Sequence, residues 1–524
     1  MRSCRTCSSP RRRTLWPVLE VEVTGGWLGG VERRGLAMWR GVPYAEASRF
    51  RAPQQPAPWA GVRDAAEFGP VAPQDREGQF IGPAKGVPMS EDCLTLNVIA
   101  PLTSSELEGE LLPVMVFIHG GAYSVGSSRE VRFLGEGLVR AGGVVFVNLN
   151  YRLGALGYLD FTRYGSASAP IERNLGLRDQ VAALQWVRDN ISAFGGDPAN
   201  VTLFGESAGG NAVTTLMTVP SAHGLFARAI AQSPPPNAIY PPGIAAEWAE
   251  EYVEILSEIV DNSSTESSSP EEAGQLLLDA SLEQLVTATT RMQLRNPDTW
   301  PGTICLSPVI DGEFLPERPL DAFKFGRAHP VPLIIGTNDR EGSLFTGRLD
   351  ILATTPHRIR AIFGKTRKKA RRAVKAQYPG LPAKRPAADF AGDYAFWFPT
   401  VKVAERHSRF ARTYFYRFDS APRLLKVLGI DATHGLELFA LFDRMDGWFG
   451  RAMGILGGRL SFKRVGERMQ QRWLRFAHDG TVDADWPKYT ARKRRTLIID
   501  TVDRVEQDPR GERRRAWQEF VPHV

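Results

Sequence analysis

Cysteine is scarce in this chain of 524 residues: four occur, at positions 4, 7, 93 and 305. Four are too few to staple a protein of this size, which excludes a disulfide framework as the source of its stability. Cys4-x-x-Cys7 lacks the second pair that a zinc ribbon needs, so no metal site is expected there. No run of about 18 apolar residues occurs, and so no helix is expected to span a membrane. The Arg-rich leader also lacks the apolar core of a secretory signal. Residues 1–16 are therefore expected to form a disordered basic tail, and the protein to be cytoplasmic.

Acidic residues are outnumbered, giving a net charge of +7, but the excess sits in a few places: 11–13, 365–375 and 492–495. None of these is interleaved with aromatics in the manner of a nucleic-acid groove, and solvated surface is the reading they support. Composition is otherwise that of a globular protein, with 43% hydrophobic and 23% charged residues; 50 Gly and 37 Pro imply many loops.

Continuous apolar runs at 113–118 and 143–147 read as fully buried strands, and 93–99 alternates at period two as a half-buried strand does. Further strands are expected at 18–23, 37–40, 227–231, 331–335, 413–418 and 496–499, with turns at Gly25-Gly26 and Gly29-Gly30. Between 177 and 191 apolar residues recur at helical spacing. Strands alternating with helices over this length predict a doubly wound α/β sheet in one domain, residues 17–524. Two helix-rich insertions, about 248–300 and 348–410, are expected over its carboxyl edge. The Ser-rich, acidic stretch 262–272 reads as a loop, and 365–375 as a helix.

The stretch Val201-Thr202-Leu203-Phe204-Gly205-Glu206-Ser207-Ala208-Gly209 organises the rest. A β-branched run enters Gly-x-Ser-x-Gly and a breaker-free segment leaves it, which predicts strand, sharp turn, helix, with Ser207 thrust above the sheet. Glycines at 205 and 209 suit so close an approach of helix and strand. The alternative is an ordinary turn serine.

A serine hydroxyl needs a base within reach and an acid to orient that base. Of the downstream histidines, His434 lies in a polar loop after the 413–418 strand, whereas His223 and His407 sit in a turn and on a helix pattern. For the acid, Glu341 and Asp339 both follow the 331–335 strand, and the residues alone favour neither strongly. His119-Gly120-Gly121-Ala122 follows a buried strand and offers backbone N–H groups for an oxyanion, together with that of Ala208; a tight turn is the equal alternative.

Seven segments in order carry a resemblance: Gly41-Val42-Pro43-Tyr44-Ala45, Glu91-Asp92-Cys93-Leu94-Thr95-Leu96-Asn97, His119-Gly120-Gly121-Ala122-Tyr123, Asn150-Tyr151-Arg152, Gly205-Glu206-Ser207-Ala208-Gly209, Gly336-Thr337-Asn338-Asp339-Arg340-Glu341-Gly342 and His434-Gly435-Leu436-Glu437. The chain resembles the type-B carboxylesterases of the α/β-hydrolase superfamily, the group containing cholinesterases and bacterial p-nitrobenzyl esterases. The resemblance implies the α/β-hydrolase fold and cleavage of small-molecule carboxylic esters through an acyl-serine, with no metal or organic cofactor. It places the nucleophile on Ser207, the acid on Glu341, the base on His434, and the oxyanion hole on the N–H groups of Gly121, Ala122 and Ala208. Members that form a disulfide from the Cys93 position have its partner in the preceding Pro-Gln segment; here that segment reads Val71-Ala72-Pro73-Gln74, implying a free, buried thiol. The family's choline-binding aromatics are not located. The alternatives are a catalytically silent interaction protein on the same fold, or an amidase, carbamate hydrolase or lipase using the same triad.

Overall fold

The computed structural model describes residues 18–76, 82–102, 110–130, 135–261, 269–346 and 350–520. The basic tail with Cys4 and Cys7, and most of the Ser-rich loop, lie outside them. Among the described residues thirteen strands form one sheet. Seven lie side by side and all parallel at its centre: Val145–Leu149, Leu112–Ile118, Gly196–Glu206, Arg228–Gln232, Leu333–Asn338, Thr413–Phe418 and Arg495–Ile499. Antiparallel strands extend both edges. Parallel neighbours need long crossovers, and helices supply them on both faces. This is the large, mostly parallel, helix-flanked sheet that the sequence predicts.

Strand side chains alternate between faces, and that alternation divides the interior into two cores. Along Leu112–Ile118, Val114, Val116 and Ile118 face a core shared with Leu177, Val181 and Leu184 of the helix Leu175–Asn190. Met115 and Phe117 face the other, shared with Trp473 and Leu474 of the long helix Arg459–Asp479. A run buried on both faces has no room for a polar residue, which is why it reads as unbroken apolar sequence.

The register brings the carboxyl ends of three central strands together. Glu206 pairs with Gln232, and Gln232 with Gly336. Ser207, Ser233 and Asn338 therefore emerge along one edge.

Helices occupy much of the two inserted stretches: Pro242–Asp261, Pro270–Asp279 and Leu282–Thr299 in the first, and Pro356–Gly364, Lys368–Ala376, Lys384–Gly392 and Phe398–His407 in the second. Two local expectations change. Gly29-Gly30 is no turn but lies inside the strand Gly26–Arg33, where a side chain on Gly30 would collide with the Trp39 indole. The 262–272 loop ends sooner than expected, because Ser269 and Glu272 form a capping box that starts a helix at Pro270. Cys93 and Cys305 are free and buried. Among the described residues no helix is long and apolar enough to cross a membrane.

Candidate active site

The strand Gly196–Glu206 ends in a sharp turn and the helix Ala208–Leu216 begins at once. Ser207, between them, has φ 57° and ψ −122°, a conformation that a non-glycine residue holds only when its surroundings impose it. What imposes it is the closeness of strand and helix. A Cβ on Gly209 would lie 2.1 Å from the Ile118 carbonyl oxygen, and one on Gly205 2.6 Å from the Gly209 backbone. Ser207 itself is half-buried.

The loop after Leu112–Ile118 lies against this turn. A Cβ on Gly120 would sit 3.1 Å from that of Ser207, so only glycine lets the loop approach the hydroxyl so closely. The loop is pinned on both sides. The Tyr123 hydroxyl donates to Asn211 Oδ1 at 2.7 Å, and the Tyr151 hydroxyl donates to the His119 carbonyl at 2.7 Å. Gly121 has φ 117° and Ala122 φ 51°. The N–H groups of Gly121, Ala122 and Ala208 find no acceptor among the described residues. Held donors of this kind are what a developing oxyanion requires.

His434 comes from the connection between Thr413–Phe418 and the helix Leu436–Leu441. Its ring is buried between Phe345 and Phe396, with centroids 5.1 and 4.3 Å away. His434 Nδ1 lies 2.6 Å from Glu341 Oε2. Glu341 Oε1 in turn accepts from the Ser233 hydroxyl at 2.7 Å and the Asn338 N–H at 2.5 Å. Asp339 points elsewhere, to Arg510 at 2.7 Å and Arg417 at 3.5 Å. Of the two candidate acids, Glu341 is the one brought to the imidazole.

The other ring nitrogen, Nε2, makes no hydrogen bond among the described residues. It lies 3.3 Å from Glu206 Oε1, beside the nucleophile turn. The structure thus joins His434 to Glu341 directly and brings it to the residue preceding Ser207, without a hydrogen bond to Ser207. His223 and His407 are remote from this cluster: His223 packs on His329, and His407 bonds to the Val331 carbonyl.

The model of the carboxylesterase family matches residues 17–517. The chain belongs to that family. It is 35% identical to the para-nitrobenzyl esterase of Bacillus subtilis (strain 168), over 93% of this chain and 96% of that protein. It is 30% identical to the phenmedipham hydrolase of Pseudarthrobacter oxydans, over 91% of this chain and 94% of that one. A solved PNB esterase structure superposes with a TM-score of 0.83 at 34% identity, covering 96% of this chain and 99% of the other. The chain is thus a carboxylic ester hydrolase on the α/β-hydrolase fold.

This carboxylesterase carries two further buried carboxylates that sequence reasoning did not single out. Glu206 stands inside the serine pentapeptide, and Glu437 inside the His434 segment. Glu437 accepts from the Asn338 side-chain amide and, at 3.4 Å, from Gln232 Nε2. Burial, then Glu206 and Glu341, pushes Glu437 well above the ordinary carboxyl range. Burial disfavours a charged His434, but Glu206 and then Glu341 outweigh it and raise the imidazole to about 9. Both carboxylates were visible as letters, but nothing in their spacing distinguishes a buried glutamate from a surface one.

Proposed function

We propose that this protein is a serine carboxylesterase for small-molecule esters in which Ser207 is the nucleophile, His434 the general base and acid, and Glu341 the group that orients the imidazole. The observation that carries the assignment is the 2.6 Å contact between His434 Nδ1 and Glu341 Oε2, with Nε2 turned toward the serine turn. A carboxylate on Nδ1 fixes the tautomer that leaves Nε2 able to accept a proton.

The Ser207 hydroxyl passes its proton to His434 Nε2 as its oxygen bonds to the ester carbonyl carbon. The carbonyl oxygen takes up negative charge against the N–H groups of Gly121, Ala122 and Ala208. Collapse breaks the bond to the alcohol oxygen, which leaves with the proton from His434. Water repeats the cycle on the acyl-serine and releases the acid. Glu206 stabilises the imidazolium that forms in each half. The para-nitrobenzyl esterase likeness supports aromatic esters as a first substrate class. A reducing, cytoplasmic setting belongs to the same reading, supported by Cys93 and Cys305, both buried and unpaired.

Ser207→Ala tests the assignment. Hydrolysis of a short-chain p-nitrophenyl ester and labelling by a fluorophosphonate are both expected to vanish while the melting temperature holds. Persistence of either near the original level would sink the nucleophile. A catalytically silent binding protein would leave the unaltered chain unlabelled. Rates across acyl chain lengths and on an amide analogue separate an esterase from a lipase or amidase.

A further inference from the structure

Exposed large apolar side chains are scattered singly over most of this surface, but among the described residues six fall within 427–460: Val427, Leu428, Trp448, Ile455, Leu456 and Leu460. Trp448 is 82% exposed, and Val427, Ile455 and Leu460 are each 74% exposed. They come from three neighbouring pieces: the short helix Arg423–Val427, the short helix Trp448–Met453 with the turn after it, and the start of Arg459–Asp479. These pieces touch. Backbone at Gly457 and Gly458 lies against the Arg423 side chain, and Asp446 is ion-paired to Arg459. The exposed apolar side chains are therefore gathered in one region of the surface, and clustering of this kind marks an interaction surface.

The charges around that face leave a cationic excess, with one exposed acid, Glu467, a turn beyond Arg464. Asp443 and Asp446 are engaged by Lys463 and Arg459, and Asp431 by Arg340 and Arg385. Arg423, Lys426, Arg451 and Arg464 are exposed and make no ion pair among the described residues. Leu460 and Arg464 stand one helical turn apart, so an apolar side chain and a cation project side by side. A tryptophan and aliphatic side chains ringed by Lys and Arg match the boundary between headgroups and acyl chains of an anionic bilayer. A second copy of this chain fits worse, because a two-fold contact would set the four uncompensated cations against their own copies.

We infer that residues 423–464 form a peripheral membrane-docking face that seats Trp448, Ile455 and Leu460 in the interface of a lipid surface bearing anionic headgroups. The inference is independent of the catalytic assignments.

The test is co-sedimentation of the full chain with phosphatidylcholine vesicles, with and without phosphatidylserine. Binding is expected to the phosphatidylserine vesicles, weak binding to phosphatidylcholine alone, and weakening as salt rises. Trp448→Ser combined with Ile455→Ser and Leu460→Ser should abolish it. Lys426→Gln with Arg451→Gln and Arg464→Gln should cut the preference for phosphatidylserine by about five-fold for each charge removed. Both variants should hydrolyse a water-soluble ester at the original rate, which controls for folding. Absence of binding, equal binding to both vesicles, or binding that survives the serine variant overturns the inference. So does a concentration-dependent dimer that the serine variant abolishes, since a second copy would then be what covers the face.

Discussion

Glu341 and Asp339 lie two residues apart on one strand exit, yet Glu341 meets His434 at 2.6 Å while Asp339 meets Arg510 at 2.7 Å. The proposed mechanism needs a carboxylate only at the first of these positions. Glu341→Gln is expected to lower kcat by on the order of 10⁴, because an amide no longer enforces the productive tautomer. Asp339→Asn should leave kcat within a few-fold and lower the melting temperature through lost contact with Arg510 and Arg417. Steady-state kinetics and thermal denaturation on both variants check the pair, and a larger kcat loss in Asp339→Asn would reverse the assignment.

The pH profile follows from the carboxylates around His434. The imidazole must be neutral to take the Ser207 proton, and Glu206 and Glu341 raise it to about 9 against the opposing effect of burial. Activity is therefore lost as pH falls through that raised value, and the acid limb of kcat/KM should lie above the ordinary histidine value of about 6.5. Glu206→Gln removes the stabilising charge that faces Nε2 of the imidazolium at 3.3 Å, so the limb should move to lower pH. A limb that stays in place or moves upward would show that Glu206 does not act on the base.

The oxyanion loop has no room for a side chain at Gly121. A Cβ there would lie 2.0 Å from the Val125 carbonyl oxygen, at a φ of 117° that L side chains rarely adopt. Gly121→Ala should shift the loop and lower kcat by about 10²–10³, the loss typical of one displaced donor, with little change in KM. Pre-steady-state acylation rates with a p-nitrophenyl ester measure it.

Stability, by contrast, leans on a buried pair that takes no part in the proposed chemistry. Arg152 bonds to Asp179 through Nε at 2.8 Å and Nη2 at 2.6 Å, and both side chains are almost wholly buried. Removing one partner strands the other charge in the core. Asp179→Ala should cost about 3–5 kcal/mol in denaturant unfolding, well beyond what an exposed pair such as Lys369 and Glu519 returns on substitution.

The buried central strands, the serine turn and the loop with its small residues were legible in the sequence, because each is a local pattern: an apolar run buried on both faces, a Gly-x-Ser-x-Gly bend, a glycine pair after a strand. Where local pattern misled, as at Gly29-Gly30, Gly30 answered to the Trp39 indole of the next strand rather than to a turn. The choice between Glu341 and Asp339 could not be made from spacing, because both follow the same strand. Tertiary structure made it by bringing His434 to one and Arg510 to the other. The same holds for Glu206 and Glu437, whose influence on the imidazole exists only once the strand ends converge and water is excluded. Sequence determined which chemical groups this protein owns and the local backbone that presents them. Their distances, and with them their charges, were decided by the packing of segments far apart in the chain, since electrostatic effects depend on separation and burial rather than on order.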